Sequence, residues 1–143
     1  MIMTFQNPNR TQIGELLAQA QTIAVVGLSA NPAKPSFDVA TALQRYGYRV
    51  VPVSPSLTSW QGIPAFSTLA EAKAGLGPTP IDIVDAFRQS QFVAGIVDEC
   101  ISLKLPVLWL QLGVIDEAAA LRAQSAGMTV VMDKCIKVER MRL

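Results

Sequence analysis

Short apolar runs rich in β-branched residues alternate with segments of helical periodicity along most of this chain. The runs lie at residues 23–26, 50–53, 81–84, 106–110 and 129–132. Strands that alternate with helices form parallel sheets, because each crossover helix returns the chain to the same end of the sheet. The sequence therefore predicts an α/β fold, with a doubly wound parallel sheet of five to six strands and helices on both faces.

Capping residues and apolar spacing define the helices. Ile13, Leu16, Leu17 and Ala20 mark an N-terminal helix that packs across the sheet or an edge. We expect a second helix to be capped by Ser36 and to stop at Gly47, since serine favours helix starts and glycine favours helix ends.

Two further helices have clear signals. Apolar pairs recur every four residues from Ser90 to Ile101, and Asp116 precedes an alanine-rich helix that stops at Gly127. Between residues 54 and 80 the pattern decays into proline and glycine, which leaves room for a short strand near Ala65 and one short helix over residues 68–74.

Length and composition limit the possible functions. The 143 residues suffice for one domain, 1–143, of which we expect residues 1–8 to be flexible. The net charge is +1 with no basic cluster, so nucleic acid is not an expected partner. The apolar runs are far shorter than the ~20 residues of a membrane helix, and no leader precedes them, so we expect a cytoplasmic protein that does not bind membranes.

The side-chain inventory narrows the chemistry further. The chain contains no histidine, which removes Ser-His and Cys-His nucleophile pairs and the commonest metal ligand. The two cysteines, Cys100 and Cys135, are expected to be reduced thiols. No catalytic pair is evident among the acids Asp82, Asp85, Asp98 and Glu99, which are expected to be solvated or helix-capping charges. The sequence predicts neither a catalytic residue nor a metal site.

The turn after the first predicted strand has one glycine and then a proline-rich loop, "GLSANPAKPS". A dinucleotide fingerprint would continue with glycines where Ser29 and Pro32 stand, so the match fails. The loop still suits an anion, since backbone N–H groups, a hydroxyl, an ammonium and a helix start converge there. The candidate residues are Gly27, Leu28, Ser29, Lys34, Pro35 and Ser36. The alternative is a stiff connecting loop.

The ends of the later strands face the same crevice, because ligands bind beyond the carboxyl ends of parallel strands. No acid lies between Asp38 and Glu71, so the usual carboxylate for an adenosine ribose is missing. Arg45 and Arg49 flank the second predicted strand in sequence, so we expect its end to tolerate an extra phosphate. The candidate residues at these ends are Val53, Ser54, Pro55, Phe87, Arg88, Gln111 and Gly113.

These blocks together resemble the small stand-alone CoA-binding proteins, relatives of the CoA-binding domain in the α subunit of succinyl-CoA synthetase. The resemblance runs from about Ile23 to Glu139 through "IAVVGLSANPAKPSF", "GYRVVPVSP", "DIVDAFR", "VLWLQLG" and "AGMTVVMDKCIKVE". It implies a Rossmann-like sheet that binds coenzyme A, with the first loop at the phosphates and the later strand ends around the adenosine and pantetheine parts. Lys34 and Ser54 stand where that family more often has arginine and asparagine.

Three functions remain open at this point. The first is a module that binds coenzyme A or an acyl-CoA without catalysis of its own. The second is an NADP-type oxidoreductase or sensor, and the third is a protein-interaction module with a vestigial nucleotide site. The expected partner of the first is a small-molecule ligand, and the sequence leaves open whether the chain forms an oligomer. Cys135 is either a small buried residue or a reactive thiol, for which a mixed disulfide with coenzyme A is one possibility.

Overall fold

Residues 4–143, which the computed structural model describes, contain seven strands. They are β1 (Thr22–Val26), β2 (Arg49–Val53), β3 (Ser59–Trp60), β4 (Ile63–Pro64), β5 (Ile83–Ala86), β6 (Val107–Leu110) and β7 (Thr129–Val131). Five of them form one parallel sheet in the order β2-β1-β5-β6-β7, while β3 and β4 pair as a separate antiparallel hairpin. The predicted α/β fold with a doubly wound parallel sheet is confirmed.

The strand order places a switch point between β1 and β5. From β1 the chain moves outward to β2 and then returns to β5 on the other side of β1, so the winding direction reverses between these neighbours. The loops that leave their carboxyl ends diverge to opposite faces of the sheet and open a crevice, which is where such folds bind ligands.

Helices cover both faces of the sheet. They are α1 (Arg10–Gln19), α2 (Pro35–Arg45), α3 (Leu69–Leu76), α4 (Val93–Ser102), α5 (Glu117–Ser125) and α6 (Ile136–Met141). Buried residues of α1, α2 and α6 share one core with Ile23 and Val25, whereas those of α3, α4 and α5 share the other with Ala24. The alternation of side chains along β1 thus supplies both cores.

The helix ends follow the predicted capping residues except at the start of α2. The Asp116 carboxylate accepts the N–H of Ala119 at 3.0 Å, and Gly47 and Gly127 have the positive φ values of +96° and +94° that end helices. The prediction that Ser36 caps α2 is wrong, because Pro35 occupies the first helical position and Lys34 is the N-cap residue, without a side-chain cap bond.

The third strand of the sheet is displaced from its predicted position. We predicted a strand over residues 81–84, and β5 covers Ile83–Ala86. Asp82 lies before the strand, where its carboxylate accepts the N–H groups of Gln21 and Thr22, each at 2.9 Å. Asp85 lies within the strand although it is polar. The apolar pattern therefore placed the end of the strand at residue 84, before Asp85, whereas β5 ends at Ala86.

The abbreviated half of the sheet contains the predicted short helix, α3, and a hairpin that we did not predict. The hairpin turns at Gln61 and Gly62, which both have positive φ. In place of a strand near Ala65, a single parallel bridge joins Phe66 to Val53.

The N-terminal segment contacts the sheet, and the expected flexibility of residues 1–8 stays a prediction. Residues 1–3 lie outside the described part of the chain. In the described part, the Asn7 side chain donates to the Met132 carbonyl at 2.9 Å and accepts the Met132 N–H at 2.7 Å, which fastens the segment beside β7. Within residues 4–143, no helix has the length and apolar character that crossing a bilayer requires.

Candidate functional site

A cavity of about 700 Å³ opens at the switch point. We call it the polar crevice, and its walls are the turn after β1, the end of β2 and the loop after β5. The lining residues are 27–31, Ser54, Ser56, Leu57, 87–89 and Phe92. Six of the predicted site residues therefore meet here, namely Gly27, Leu28, Ser29, Ser54, Phe87 and Arg88.

Gly27 brings the turn after β1 against the loop after β5. Its φ of +81° is in the left-handed region, and a Cβ atom at this position would collide with the carbonyl oxygen of Phe87. The two loops are also tied to the sheet, since the Gly27 N–H donates to Val53 and the Phe87 N–H donates to Val26. A single glycine is required because backbone meets backbone here.

Ser29 and Ser36 hold the proline-rich loop in shape. The Ser29 N–H donates to the Ser36 hydroxyl at 3.0 Å, and the Ser29 carbonyl accepts the indole N–H of Trp60 at 3.2 Å. The Ser29 hydroxyl accepts the Asn31 N–H at 3.0 Å. Ser36 is only 3% exposed, so this serine supports the loop from behind.

Two backbone donors of this loop remain free. The N–H groups of Leu28 and Ala30 make no hydrogen bond with residues 4–143, and both residues line the polar crevice. Unpaired N–H groups at a strand-to-helix loop are suited to anionic oxygens.

Arg88 supplies the charge of the crevice. Its guanidinium carbon lies 4.2 Å from the centre of the Phe92 ring, and within residues 4–143 it has no carboxylate partner. Among the described residues, no other charged side chain lines the polar crevice. Stacking on Phe92 holds the guanidinium in place while its N–H groups stay free, an arrangement suited to phosphate.

The end of β2 contributes small polar groups. Ser54 is buried, its hydroxyl lies 3.0 Å from that of Ser56, and its N–H donates to Phe66. Val53 and Pro55 instead line a smaller cavity of about 260 Å³ together with Glu99, a carboxylate that disfavours an anion there. Val53 and Pro55 therefore lie beside the polar crevice and do not line it.

Arg45 and Arg49 lie away from this crevice. Arg45 ends α2 and Arg49 begins β2, so both lie where the amino ends of the parallel strands meet, which we call the amino edge of the sheet. The loops that form the cavity lie at the opposite, carboxyl ends of the strands, which we call the carboxyl edge. Our expectation that they flank an extra phosphate is wrong, because the two ends of a five-residue strand are ~13 Å apart at ~3.3 Å per residue.

A second cavity, of about 490 Å³, adjoins the polar crevice and shares residues 87–89 with it. We call it the apolar cavity. It contains the predicted residues Pro35, Phe87, Arg88, Gln111 and Gly113, and its further walls are Val39, Leu112, Val114 and Cys135. Gly113 has a φ of +82°, and its N–H donates to Asp133 at 2.7 Å, so this N–H is not available to a ligand.

Lys34, like Ser36, is a predicted phosphate residue that lines none of these three cavities. It is exposed at the start of α2, and its backbone N–H donates to Asn31. The structure puts Lys34 at the far end of the loop from Gly27, and its contact with phosphate stays a prediction.

Asp85 lies buried in the sheet below the site. It is 0% exposed, and neither of its carboxylate oxygens has a hydrogen-bond partner among the described residues. Burial raises the pKa of Asp85 well above its ordinary value. The expectation that this aspartate is solvated or caps a helix is therefore wrong.

The two thiols have different surroundings. Cys100 lies on the buried face of α4, where desolvation, with a smaller effect of the Glu99 charge, raises its pKa to about 12. Cys135 is half-buried, follows β7 and lines the apolar cavity. Both are free, so only Cys135 is positioned to meet a ligand.

Sequence reasoning missed several lining residues: Ala30, Asn31, Ser56, Leu57, Gln89 and Phe92. Ser56, Leu57 and Gln89 lie within three residues of Ser54 or Arg88. Extending each predicted strand end by a few positions would therefore have found them. Phe92 gave no such signal, because its apolar side chain fits the helical pattern from Ser90 onwards.

Comparison with known proteins agrees with this architecture. Residues 21–141 match a family model described as a CoA binding domain. The uncharacterized protein YneT of Bacillus subtilis (strain 168) is 41% identical over 133 residues, which are 93% of this chain and 95% of YneT.

Solved structures extend the likeness. Cell-free ID.343 from Thermus thermophilus has 33% identity and a TM-score of 0.83 over 94% of this chain and 98% of that chain. The apo form of Ca. Korarchaeum cryptofilum dinucleotide forming acetyl-coenzyme A synthetase 1 is 22% identical, with a TM-score of 0.66 over 79% of this chain and 26% of that chain, which is a likeness of fold alone. The resemblance predicted from the sequence motifs is confirmed: the chain belongs to the CoA binding domain family.

Proposed function

We propose that this protein binds coenzyme A, free or acylated, in the polar crevice and the apolar cavity beside it, without catalysis of its own. The observation that carries the proposal is the polar crevice itself. It lies at the switch point, has Arg88 as its charged group, and offers the free N–H groups of Leu28 and Ala30.

The polar crevice suits the diphosphate and the nucleotide. An anion gains from unpaired N–H groups and a guanidinium, and here it meets no competing carboxylate among the lining residues. The serines at the end of β2 face the same space, and an end without acids accepts a phosphorylated ribose better than a free diol.

The apolar cavity favours coenzyme A over NADP. Coenzyme A ends in a long, uncharged pantetheine arm, whereas NADP ends in a second ribose and a charged ring. A cavity walled by Val39, Leu112 and Val114 matches the arm better than the charged nicotinamide end. Leu112 is 70% exposed, and a ligand arm would cover part of this surface.

The absence of catalysis is part of the proposal. The sequence has no histidine to act as a general base, and the buried Asp85 carboxyl group has no hydrogen-bond partner within residues 4–143 from which it could take a proton. We expect coenzyme A and acetyl-CoA to be recovered unchanged after incubation with the protein.

Calorimetric titration separates the candidate ligands. We expect heat of binding with coenzyme A, weaker binding with dephospho-CoA and ATP, and none with NAD. At 100 times its dissociation constant, coenzyme A should also stabilise the fold by ~2.7 kcal/mol in thermal unfolding. Tighter binding of NADP would favour an oxidoreductase or sensor, and silence toward every ligand would favour an interaction module.

A further inference from the structure

We propose that Cys135 is a thiol–disulfide exchange site for the oxidised form of the ligand, coenzyme A disulfide. This inference rests on the proposed function, because the nucleotide must be held in the polar crevice for its sulfur to be delivered. It assigns a chemical task to a residue that binding alone does not require.

The position of Cys135 supports this role. The residue lies between β7 and α6 and lines the apolar cavity, which shares residues 87–89 with the polar crevice. A pantetheine arm that passes residues 87–89 enters the cavity that Cys135 lines. Cys100 offers a contrast within the same chain, since it is fully buried and its pKa is about 12.

Gln111 gives an independent indication of a ligand in this cavity. It is only 4% exposed, and its Oε1 atom accepts the N–H of Ile136 at 3.0 Å, which fixes the amide. Its amide nitrogen has no hydrogen-bond partner among residues 4–143. The fully buried side-chain atoms of these residues that lack a partner are the two Asp85 oxygens, so the Gln111 nitrogen is not fully buried. The nitrogen therefore reaches open space, and the apolar cavity is the space that Gln111 lines. A pantetheine arm has amide carbonyls that this donor can bind.

Positive charge also lies near the thiol. The pKa of Lys137 is raised mainly by its hydrogen bond to Asp38 and by the Asp38 charge, and further by the negative charge of the Cys135 thiolate. The thiolate is the form of a cysteine that attacks a disulfide.

The exchange is balanced without any further oxidant. The Cys135 thiolate attacks one sulfur of the coenzyme A disulfide, the S–S bond breaks, and a protein–CoA mixed disulfide forms. One coenzyme A leaves as its thiolate and takes a proton from solvent. The reaction is stoichiometric, with one CoA moiety retained per chain.

The test is intact-protein mass spectrometry with coenzyme A disulfide and, in parallel, glutathione disulfide at the same concentration and pH. We expect a CoA adduct on Cys135 that forms at least about tenfold faster than the glutathione adduct, the factor that ~1.4 kcal/mol of binding free energy supplies. Desulfo-coenzyme A, which lacks the thiol, should slow the CoA reaction by competing for the same site. Equal rates for the two disulfides, or no adduct, would overturn the proposal.

Matched variants locate the site. Cys135→Ser should abolish the adduct, whereas Cys100→Ala should keep it, and an adduct that persists in Cys135→Ser would refute the assignment. Titration of desulfo-coenzyme A into the same protein separates the two levels of the argument. Binding without an adduct rejects the exchange and leaves the proposed function standing, while failure to bind rejects the proposed function.

Discussion

The amino and carboxyl edges of the sheet differ in whether their polar groups have hydrogen-bond partners. At the amino edge, Asp82 accepts two backbone N–H groups, and the Tyr48 hydroxyl donates to Leu17 and accepts from Arg140. At the carboxyl edge, the N–H groups of Leu28 and Ala30 have no partner within residues 4–143. Since unpaired polar groups are costly unless water or a ligand satisfies them, the amino edge serves stability and the carboxyl edge serves binding.

The largest effect is expected from Gly27→Ala, which would disrupt the close contact between the turn after β1 and the loop after β5 at the carboxyl edge. The new Cβ meets the Phe87 carbonyl, and the φ of +81° is strained for alanine. We expect the free energy of unfolding to fall by more than ~2 kcal/mol and coenzyme A binding to be lost, measured by denaturant unfolding and calorimetry.

Gly127→Ala is the matched control for this change. Gly127 also has a positive φ, of +94°, but a Cβ there meets no atom of residues 4–143 within 4 Å, apart from its chain neighbours. We expect it to cost only ~1 kcal/mol and to leave binding intact. Equal losses in the two variants would show that strain alone, and not the contact with Phe87, makes Gly27 necessary.

Arg88→Met tests the charge of the carboxyl edge. The loss of charge-assisted hydrogen bonds to phosphate should weaken coenzyme A binding by ~1.5–3 kcal/mol, or roughly tenfold to more than a hundredfold, in calorimetric titration. Arg45→Met removes an exposed guanidinium from the last turn of α2 and should change the affinity little. Similar losses in both variants would point to general electrostatic attraction.

Asp85→Val tests the cost of the unpaired carboxyl group that is buried in the sheet below the carboxyl edge. Because burial raises the pKa of Asp85, the folded protein keeps a proton that the unfolded chain releases above its ordinary pKa of ~3.9. The free energy of unfolding should therefore fall as pH rises from about 4 toward the raised pKa. The variant should lose this slope and gain ~1–3 kcal/mol at neutral pH. A slope that is unchanged in urea unfolding across this pH range would contradict the burial argument.

Lys34→Ala is expected to have the smallest effect. The side chain is exposed and lines none of the three cavities, so its attraction to phosphate is screened, and we expect a loss of at most ~1 kcal/mol in coenzyme A affinity. A loss as large as that of Arg88→Met would mean that the proline-rich loop moves toward the ligand.

The fold was largely predictable from the sequence because periodicity and capping act locally. Asp116 caps the start of α5 and Gly127 follows its end, as the preferences of aspartate for helix starts and of glycine for helix ends predict. β5 was displaced because Asp82 and Asp85, both acidic, have opposite environments that no local pattern distinguishes. The β3–β4 hairpin was missed although Gln61-Gly62 is a turn dipeptide, since strands of two residues have no measurable alternation.

The candidate site was predictable in position but less so in the role of each residue. The carboxyl ends of parallel strands must meet at one edge, so Gly27, Ser54 and Arg88 came together as expected. Which donors are free depends on contacts distant in sequence. The Ser29 N–H is occupied by Ser36, and the Gly113 N–H by Asp133, neither of which the motif reveals.

A crystal structure grown with excess coenzyme A tests the central claim most directly. The account predicts the diphosphate against Leu28, Ala30 and Arg88, with the pantetheine arm between Gln111 and Cys135. An empty polar crevice, or coenzyme A bound at any other surface of the chain, would contradict it.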